Sequence, residues 1–152
     1  LISLATAAWK LNEQRKRARR NGIHIIETRP IENTKTIKRL RDSADRLLLD
    51  VPCSGLGVLR RNPDSKWKLT PDFVANIRET QQEIIQSYSR ILRKDGKLIY
   101  ATCSVLPSEN QQQVEKFLAS EPGKAFELEE QKSILPQEEG FDGFFMARLR
   151  KK

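Results

Sequence analysis

Two cysteines and one carboxylate carry the chemistry legible in this chain. Cys53 lies in D-V-P-C-S-G (residues 50–55) and Cys103 in Y-A-T-C-S (residues 100–104), about fifty positions apart. Each ends an apolar run, Arg46 to Val51 (RLLLDV) and Lys97 to Thr102 (KLIYAT), and Asp50 closes the first of them. A thiol at the carboxyl end of a buried strand is placed for nucleophilic work, because ligands of open α/β sheets gather at those ends. Taken singly, such a cysteine is more often a packed core residue, since free cysteine is among the most buried residue types; it is the pairing of two at successive strand ends that points to chemistry. Two cysteines in 152 residues cannot build a disulfide framework. The single histidine, His24, removes most zinc sites and most Cys-His pairs from consideration, and no metal is expected.

The elements that must position these thiols follow from periodicity. A short apolar run, Leu1 to Ala8, leads into a helix from Trp9 to about Arg20, stopped by Asn21-Gly22. Ile23 to Glu27 reads as a strand, and Glu32 to about Ser43 as a thin amphipathic helix with Ile37 and Leu40 inward. Arg46 to Val51 reads as a strand buried on both faces. Thr70 before Pro71 predicts a helix carrying Phe73, Val74, Ile77, Ile84, Ile85, Tyr88, Ile91 and Leu92 at helical spacing, with Asp95-Gly96 ending the helical region. Lys97 to Thr102 is a second buried strand, Ser108 a cap for a helix with Val114, Phe117 and Leu118, and AFELEE and FDGFFMARLR are closing strands. The alternation predicts an α/β fold with a mostly parallel, doubly wound sheet and an antiparallel strand at its C-terminal end. The helix between the cysteine-bearing strands is a crossover, so the strands are expected as neighbours about 4.8 Å apart, with both thiols facing one crevice.

The length suits one globular core, and no stretch approaches a membrane span of roughly 20 apolar residues. No charged leader opens the chain, so a cytoplasmic protein without a membrane partner is expected. A net charge of +8 points to a polyanionic partner. The cations cluster at Arg15, Lys16, Arg17, Arg19 and Arg20, at Lys35, Lys38, Arg39 and Arg41, and at Arg60 and Arg61; solvated helix faces account equally well for the first two clusters. Gly55-Leu56-Gly57 is not a dinucleotide loop, because Arg60 stands where a third glycine would be. These glycines instead allow a tight turn beside the crevice. Trp67 is open to two readings, a base-stacking face or a packing anchor.

The run LLLDVPCSGLGVLRRNPDSKW, then LIYATCSVLPSEN, then GFDGFFMARL resembles the Sun/Fmu-type family of SAM-dependent RNA (cytosine-5) methyltransferases, over most of the chain from about Trp9 onward. That resemblance implies the C-terminal portion of a class I, Rossmann-like methyltransferase domain across residues 1–152, without the glycine-rich SAM loop or an upstream RNA-binding region. It implies transfer of a methyl group from SAM to C5 of a cytidine in rRNA or tRNA. Cys103 would be the nucleophile, Cys53 would assist release, and Asp50 would meet both base and cofactor, with Pro52 beside the cofactor. C5 of cytosine is a poor nucleophile, and attack of a thiolate on C6 makes it enamine-like. The Cys103 pKa should therefore be depressed, by backbone N–H groups, cations or the helix expected near Ser108. Glu109-Asn110 matches the family pattern and suggests loop orientation, ordinary first-turn capping being the alternative. Arg60 and Arg61 become candidate phosphate contacts to an RNA with a flipped base.

Where the family has a ribose-binding acid this sequence has Ala5, and the acid expected after the Ile23 to Glu27 strand has no equivalent at Arg29 and Pro30. The isolated chain is thus expected to hold SAM weakly and to be inactive by itself. Two other readings stand beside the enzyme: a catalytically dead RNA-binding or assembly module that keeps the fold, and an unrelated α/β domain with two core cysteines. Composition does not fix the oligomeric state; an unpaired sheet edge would favour dimers.

Overall fold

A computed structural model describes residues 1–152, Glu139 through its backbone alone. The chain divides into two compact units, Leu1–Leu40 and Arg41–Lys152.

In the first unit, β1 (Ile2–Ala5) and β2 (Glu27–Pro30) pair in parallel, Ile2 opposite Glu27 and Ala5 opposite Pro30. Helix α1 (Ala8–Arg20) connects them, and α2 (Thr34–Arg39) follows. The predicted stop at Asn21-Gly22 is a Schellman cap: Gly22 takes φ 65°, its N–H donates to Arg19 O at 3.1 Å, and the Ile23 N–H donates to Ala18 O at 2.9 Å. The strand expected at Ile23 to Glu27 lies four residues later, at Glu27–Pro30. The apolar trio Ile23, Ile25 and Ile26 marks a strand by composition, whereas the ladder to β1 selects the less apolar ETRP, with Pro30 at its end where a missing donor is tolerated. Helix α2 is shorter than expected and begins at an Asn33 cap whose side chain accepts from the Lys35 N–H at 2.9 Å.

The second unit holds β3 (Ala44–Asp50), α3 (Ser65–Lys68), α4 (Pro71–Tyr88), β4 (Leu92–Thr102), α5 (Gln111–Ala119), β5 (Phe126–Ile134), α6 (Pro136–Glu139) and β6 (Phe144–Lys151). Its sheet runs β3-β4-β6-β5, with β3 and β4 parallel and β6 antiparallel to both of its neighbours. The α/β class, the parallel pairing of the cysteine-bearing strands and the antiparallel C-terminal strand all match the sequence reading, although the strands form two sheets, one in each unit. Thr70 caps α4 by accepting from the Phe73 N–H at 3.1 Å, with Pro71 at the first helical position.

Three local expectations are corrected. Asp95-Gly96 does not end the helix: α4 stops at Tyr88, and the pair lies inside β4, with Asp95 at φ 61°, where the register to β3 jumps. Ser108 does not cap α5. It sits in a 3-10 turn (Pro107–Glu109), and Asn110 is the residue before the helix. Finally, β3 is buried on one face only. Leu49 and Val51 join the core with Ile85 of α4, Phe117 of α5, Leu98 and Tyr100 of β4 and Leu149 of β6, while Leu48 is 67% exposed on the other face. An apolar run alone does not tell a strand covered twice from one covered once.

Candidate active site

Register places the thiols. Because β3 and β4 pair in parallel with Asp50 opposite Ala101, Cys53 and Cys103 leave the sheet side by side at its carboxyl edge. Their Sγ atoms are 3.2 Å apart. Both side chains are half-buried, so neither reading of a fully packed core cysteine holds.

Contact between the thiols splits their proton affinities. Hydrogen bonding from Cys53 lowers the Cys103 pKa to about 7 against the cost of partial burial, with a smaller contribution from the residue's own backbone N–H; the charges of Asp50 and Glu109 work the other way. The same contact, with burial, pushes Cys53 far up and keeps it a thiol. With a pKa of about 7, roughly half of Cys103 is thiolate at neutral pH, held by a neighbouring S–H. The depressed Cys103 pKa agrees with the sequence reading, but its main cause is the neighbouring thiol and not a helix beginning near Ser108, since α5 begins only after Asn110.

A buried carboxylate ties the two loops together. Glu109 has no exposed surface. It accepts from the Ser54 N–H at 2.8 Å, the Ser54 hydroxyl at 2.5 Å, the Ser104 hydroxyl and Gln81 Nε2 at 3.3 Å. Gln81 Nε2 also donates to the Pro52 carbonyl at 2.9 Å. Asn110 grips the Cys103 loop, accepting from the Thr102 hydroxyl at 2.6 Å and donating to the Ser104 carbonyl at 2.9 Å. Glu109-Asn110 therefore orients both cysteine loops and is not an ordinary first turn. Sequence reasoning missed Ser54, Ser104 and Gln81, although two signals were present. The dipeptide Cys-Ser occurs at both strand ends, and Gln81 interrupts the apolar stripe of α4 between Ile77 and Ile85.

Backbone joins a third loop to these two. The Gly57 N–H donates to the Cys103 carbonyl at 2.9 Å, and the Gly143 N–H donates to the Gly57 carbonyl at 2.7 Å. A Cβ on Gly57 would run into the Gly143 and Cys103 carbonyl oxygens, so only glycine admits this approach. Gly55 supplies the left-handed turn beside it at φ 72°. The glycines thus make the tight turn expected of them, and Gly143 is a participant that spacing alone did not reveal.

The remaining candidates divide. Asp50 is exposed at the end of β3, and its carboxylate makes no hydrogen bond or ion pair among the described residues. Pro52 is exposed, with its carbonyl engaged by Gln81. Arg61 is ion-paired to Asp142, and exposed Arg60 donates to the Gly140 carbonyl at 3.4 Å, so both are steered toward the loop before β6. Trp67 is 79% exposed, with Lys66 Nζ 4.8 Å from its ring centroid, which excludes the packing-anchor reading. In the first unit Ala5 ends β1 without a carboxylate. The shifted β2 leaves Glu32, exposed, two residues past its end, a position where the sequence reading found no acid. Among the described residues no cluster of His, Cys, Asp and Glu suits a metal ion, and no helix is long and apolar enough to cross a membrane.

Comparison with known proteins supplies the family. The family model described as 16S rRNA methyltransferase RsmB/F matches residues 2–150. The chain belongs to the RsmB/F family. Ribosomal RNA small subunit methyltransferase B of Pasteurella multocida is 43% identical over 126 residues, covering 76% of this chain and 28% of the relative. The enzyme of the same name from Photorhabdus laumondii is 44% identical over 113 residues, covering 71% of this chain and 26% of the relative. The chain therefore spans between a quarter and a third of the length of these RsmB relatives. Among solved structures, PH0851 matches with a TM-score of 0.91 at 26% identity, over 99% of this chain and 36% of that one. NSun6 from Pyrococcus horikoshii, solved with SFG, matches with a TM-score of 0.85 at 25% identity, over 99% and 41%. The Rossmann-like methyltransferase fold of the RsmB/F family thus extends over nearly the whole chain.

Proposed function

We propose that the whole protein transfers a methyl group from SAM to C5 of a cytidine in RNA, with Cys103 as the nucleophile. The observation that carries this reading is the thiol pair, 3.2 Å apart, one lowered to about 7 and the other held protonated. The Cys103 thiolate forms a bond to C6, and electron density moves to C5, which takes the methyl group. Loss of the C5 proton to water in the open crevice then drives electrons back and breaks the S–C6 bond, with Cys103 leaving as thiolate. Cys53, whose sulfur lies 3.2 Å from that of Cys103 and which is kept a thiol, stabilises that leaving thiolate by donating to it and assists release. Asp50, with an exposed carboxylate, accepts a hydrogen bond from the cytosine amino group and so orients the base over the thiol pair.

SAM supplies an electrophilic methyl group. On this chain the residues for it fit in part: the Asp50 carboxylate suits the methionine ammonium and Pro52 lies beside it, while Ala5 offers nothing to ribose hydroxyls and Glu32 offers an acid past β2. A structural neighbour holding SFG, an analogue of SAM, supports this cofactor. Relatives named for small-subunit rRNA favour rRNA over tRNA as the target. Arg60, and Arg61 once exchanged from Asp142, meet RNA phosphates. A catalytically dead module would have no use for thiols of opposite proton affinity in contact, which counts against that alternative.

The test is a pair of variants in the whole protein. Cys103→Ala should abolish methylation of small-subunit rRNA, and Cys53→Ala should accumulate a covalent protein–RNA species that survives denaturing electrophoresis. Normal turnover by Cys103→Ala would overturn the assignment.

A further inference from the structure

Beyond any role in methyl transfer, we propose that Cys53 and Cys103 form a peroxide-sensitive dithiol that closes reversibly to an intramolecular disulfide. The geometry carries it. The Sγ atoms stand 3.2 Å apart, and a disulfide needs about 2.05 Å, so roughly 1 Å of side-chain rotation suffices. The parallel register of β3 and β4, ending at Asp50 opposite Ala101, brings both cysteine loops out at one edge of the sheet with their sulfurs facing each other. Both side chains are partly open to solvent, so a small oxidant reaches them. The chain has only these two cysteines, so an intramolecular disulfide can join no other pair.

Reactivity follows from the asymmetry of the pair. An oxidant-sensing cysteine is an accessible, low-pKa thiolate with a resolving thiol beside it, and Cys103 and Cys53 take those two parts. The Cys103 thiolate attacks one oxygen of hydrogen peroxide; the O–O bond breaks, giving a sulfenic acid and hydroxide, which takes up a proton. Cys53 then gives up its proton and attacks the Cys103 sulfur; the S–O bond breaks and the hydroxyl leaves as water. Two thiols lose two electrons in total, and one peroxide is reduced to two waters. The Glu109 clamp favours the second step over further oxidation, because its bonds to Ser54 and Ser104 hold both loops in place while the sulfenic acid waits. The oxidised pair has no nucleophile, so the methyl transfer proposed above would stop until a dithiol reductant reopened it. Formation of the bond itself does not depend on that reading.

The experiment uses this chain and needs no substrate. After a brief peroxide pulse under native conditions, the protein is denatured, alkylated and weighed intact. The expected product is a monomer about 2 Da lighter that resists alkylation at both sites and regains them after dithiothreitol. Cys53→Ser, treated in the same way, should instead gain one oxygen, trapped by dimedone at Cys103. Oxygen addition to the unaltered chain without the loss of two hydrogens would overturn the proposal, as would a disulfide-linked dimer. Equal closure rates in native and urea-unfolded protein would overturn it too, since the folded geometry would then contribute nothing.

Discussion

The two units differ in what they bury and in what they do with charge. The first, Leu1–Leu40, carries ten basic and three acidic residues; the second, Arg41–Lys152, carries eighteen and seventeen. Nearly all the net positive charge therefore sits on about a quarter of the chain. In the second unit cations are matched by acids, Lys97 and Arg148 sharing Glu129 at 3.0 and 2.8 Å, and Arg150 reaching Asp95 at 3.0 Å. In the first unit, among the described residues, only Lys16 with Glu13 and Arg29 with Glu27 are paired. Burial follows the opposite order. The second unit owns the contiguous apolar cluster and both thiols, whereas the first buries few apolar side chains, Leu11, Ala18, Ile37 and Leu40. A segment of some forty residues is below the size at which a core alone confers stability. The contrast separates labour: the chemistry rests on a packed scaffold, and the surplus charge rides on a thinly packed one.

The largest effect should come from cutting into the packed side. Phe117→Ala removes a fully buried ring that packs on Phe126 at 5.3 Å and should cost about 3–5 kcal/mol in the main denaturation transition. Leu11→Ala should cost about 2 kcal/mol, read as lost amide protection confined to residues 1–40. Equal losses of protection throughout the chain from both variants would erase the distinction. A smaller effect concerns the thiols. Alkylation of Cys103 should fall roughly fivefold between pH 7 and 6, as protonation through a pKa of about 7 removes the thiolate, and should level off at higher pH. That profile should be unchanged in Leu11→Ala, because every group the site uses to set it lies in the second unit; a displaced midpoint would break the comparison. The smallest effect concerns charge. Neutralising Arg17, Arg19 and Arg20 to Gln should lower the salt slope of RNA binding by the whole protein, by about one unit or less for each phosphate that these arginines neutralise. Neutralising Lys97 and Arg148 should leave the slope unchanged.

What the sequence made legible was local or doubled. The Asn21-Gly22 cap and the Thr70-Pro71 start depend on a few adjacent residues, and both formed where those residues stand. The thiol pair was legible because two strand-end motifs flank one crossover helix, a topology with few alternatives. The misplaced features all depend on partners distant in sequence. Strand β2 was misassigned because only its ladder with β1 distinguishes ETRP from the more apolar residues before it. Asp95-Gly96 has the composition of a terminator and serves as a bulge, since the register of β4 against β3 must absorb extra residues there. The Glu109 clamp spans residues 54, 81, 104 and 109, and the Gly57–Gly143 bond spans 86 positions, so no short-range pattern announces either. Polar residues set into apolar stripes, such as Gln81, were the available hint.

The sheet order β3-β4-β6-β5 also sets a schedule for synthesis. Among the described residues β5 pairs with β6 alone, and β6 follows every other strand of its sheet in the chain. On the ribosome both cysteine loops emerge before β5 and β6, yet β5 cannot dock and Gly143 cannot reach Gly57 until residues 143–151 have left the exit tunnel. The bracing of the thiol pair therefore comes after the β3–β4 pairing that brings the sulfurs together, and an interrupted translation product ending before Gly143 would display both cysteines without the third loop that braces them.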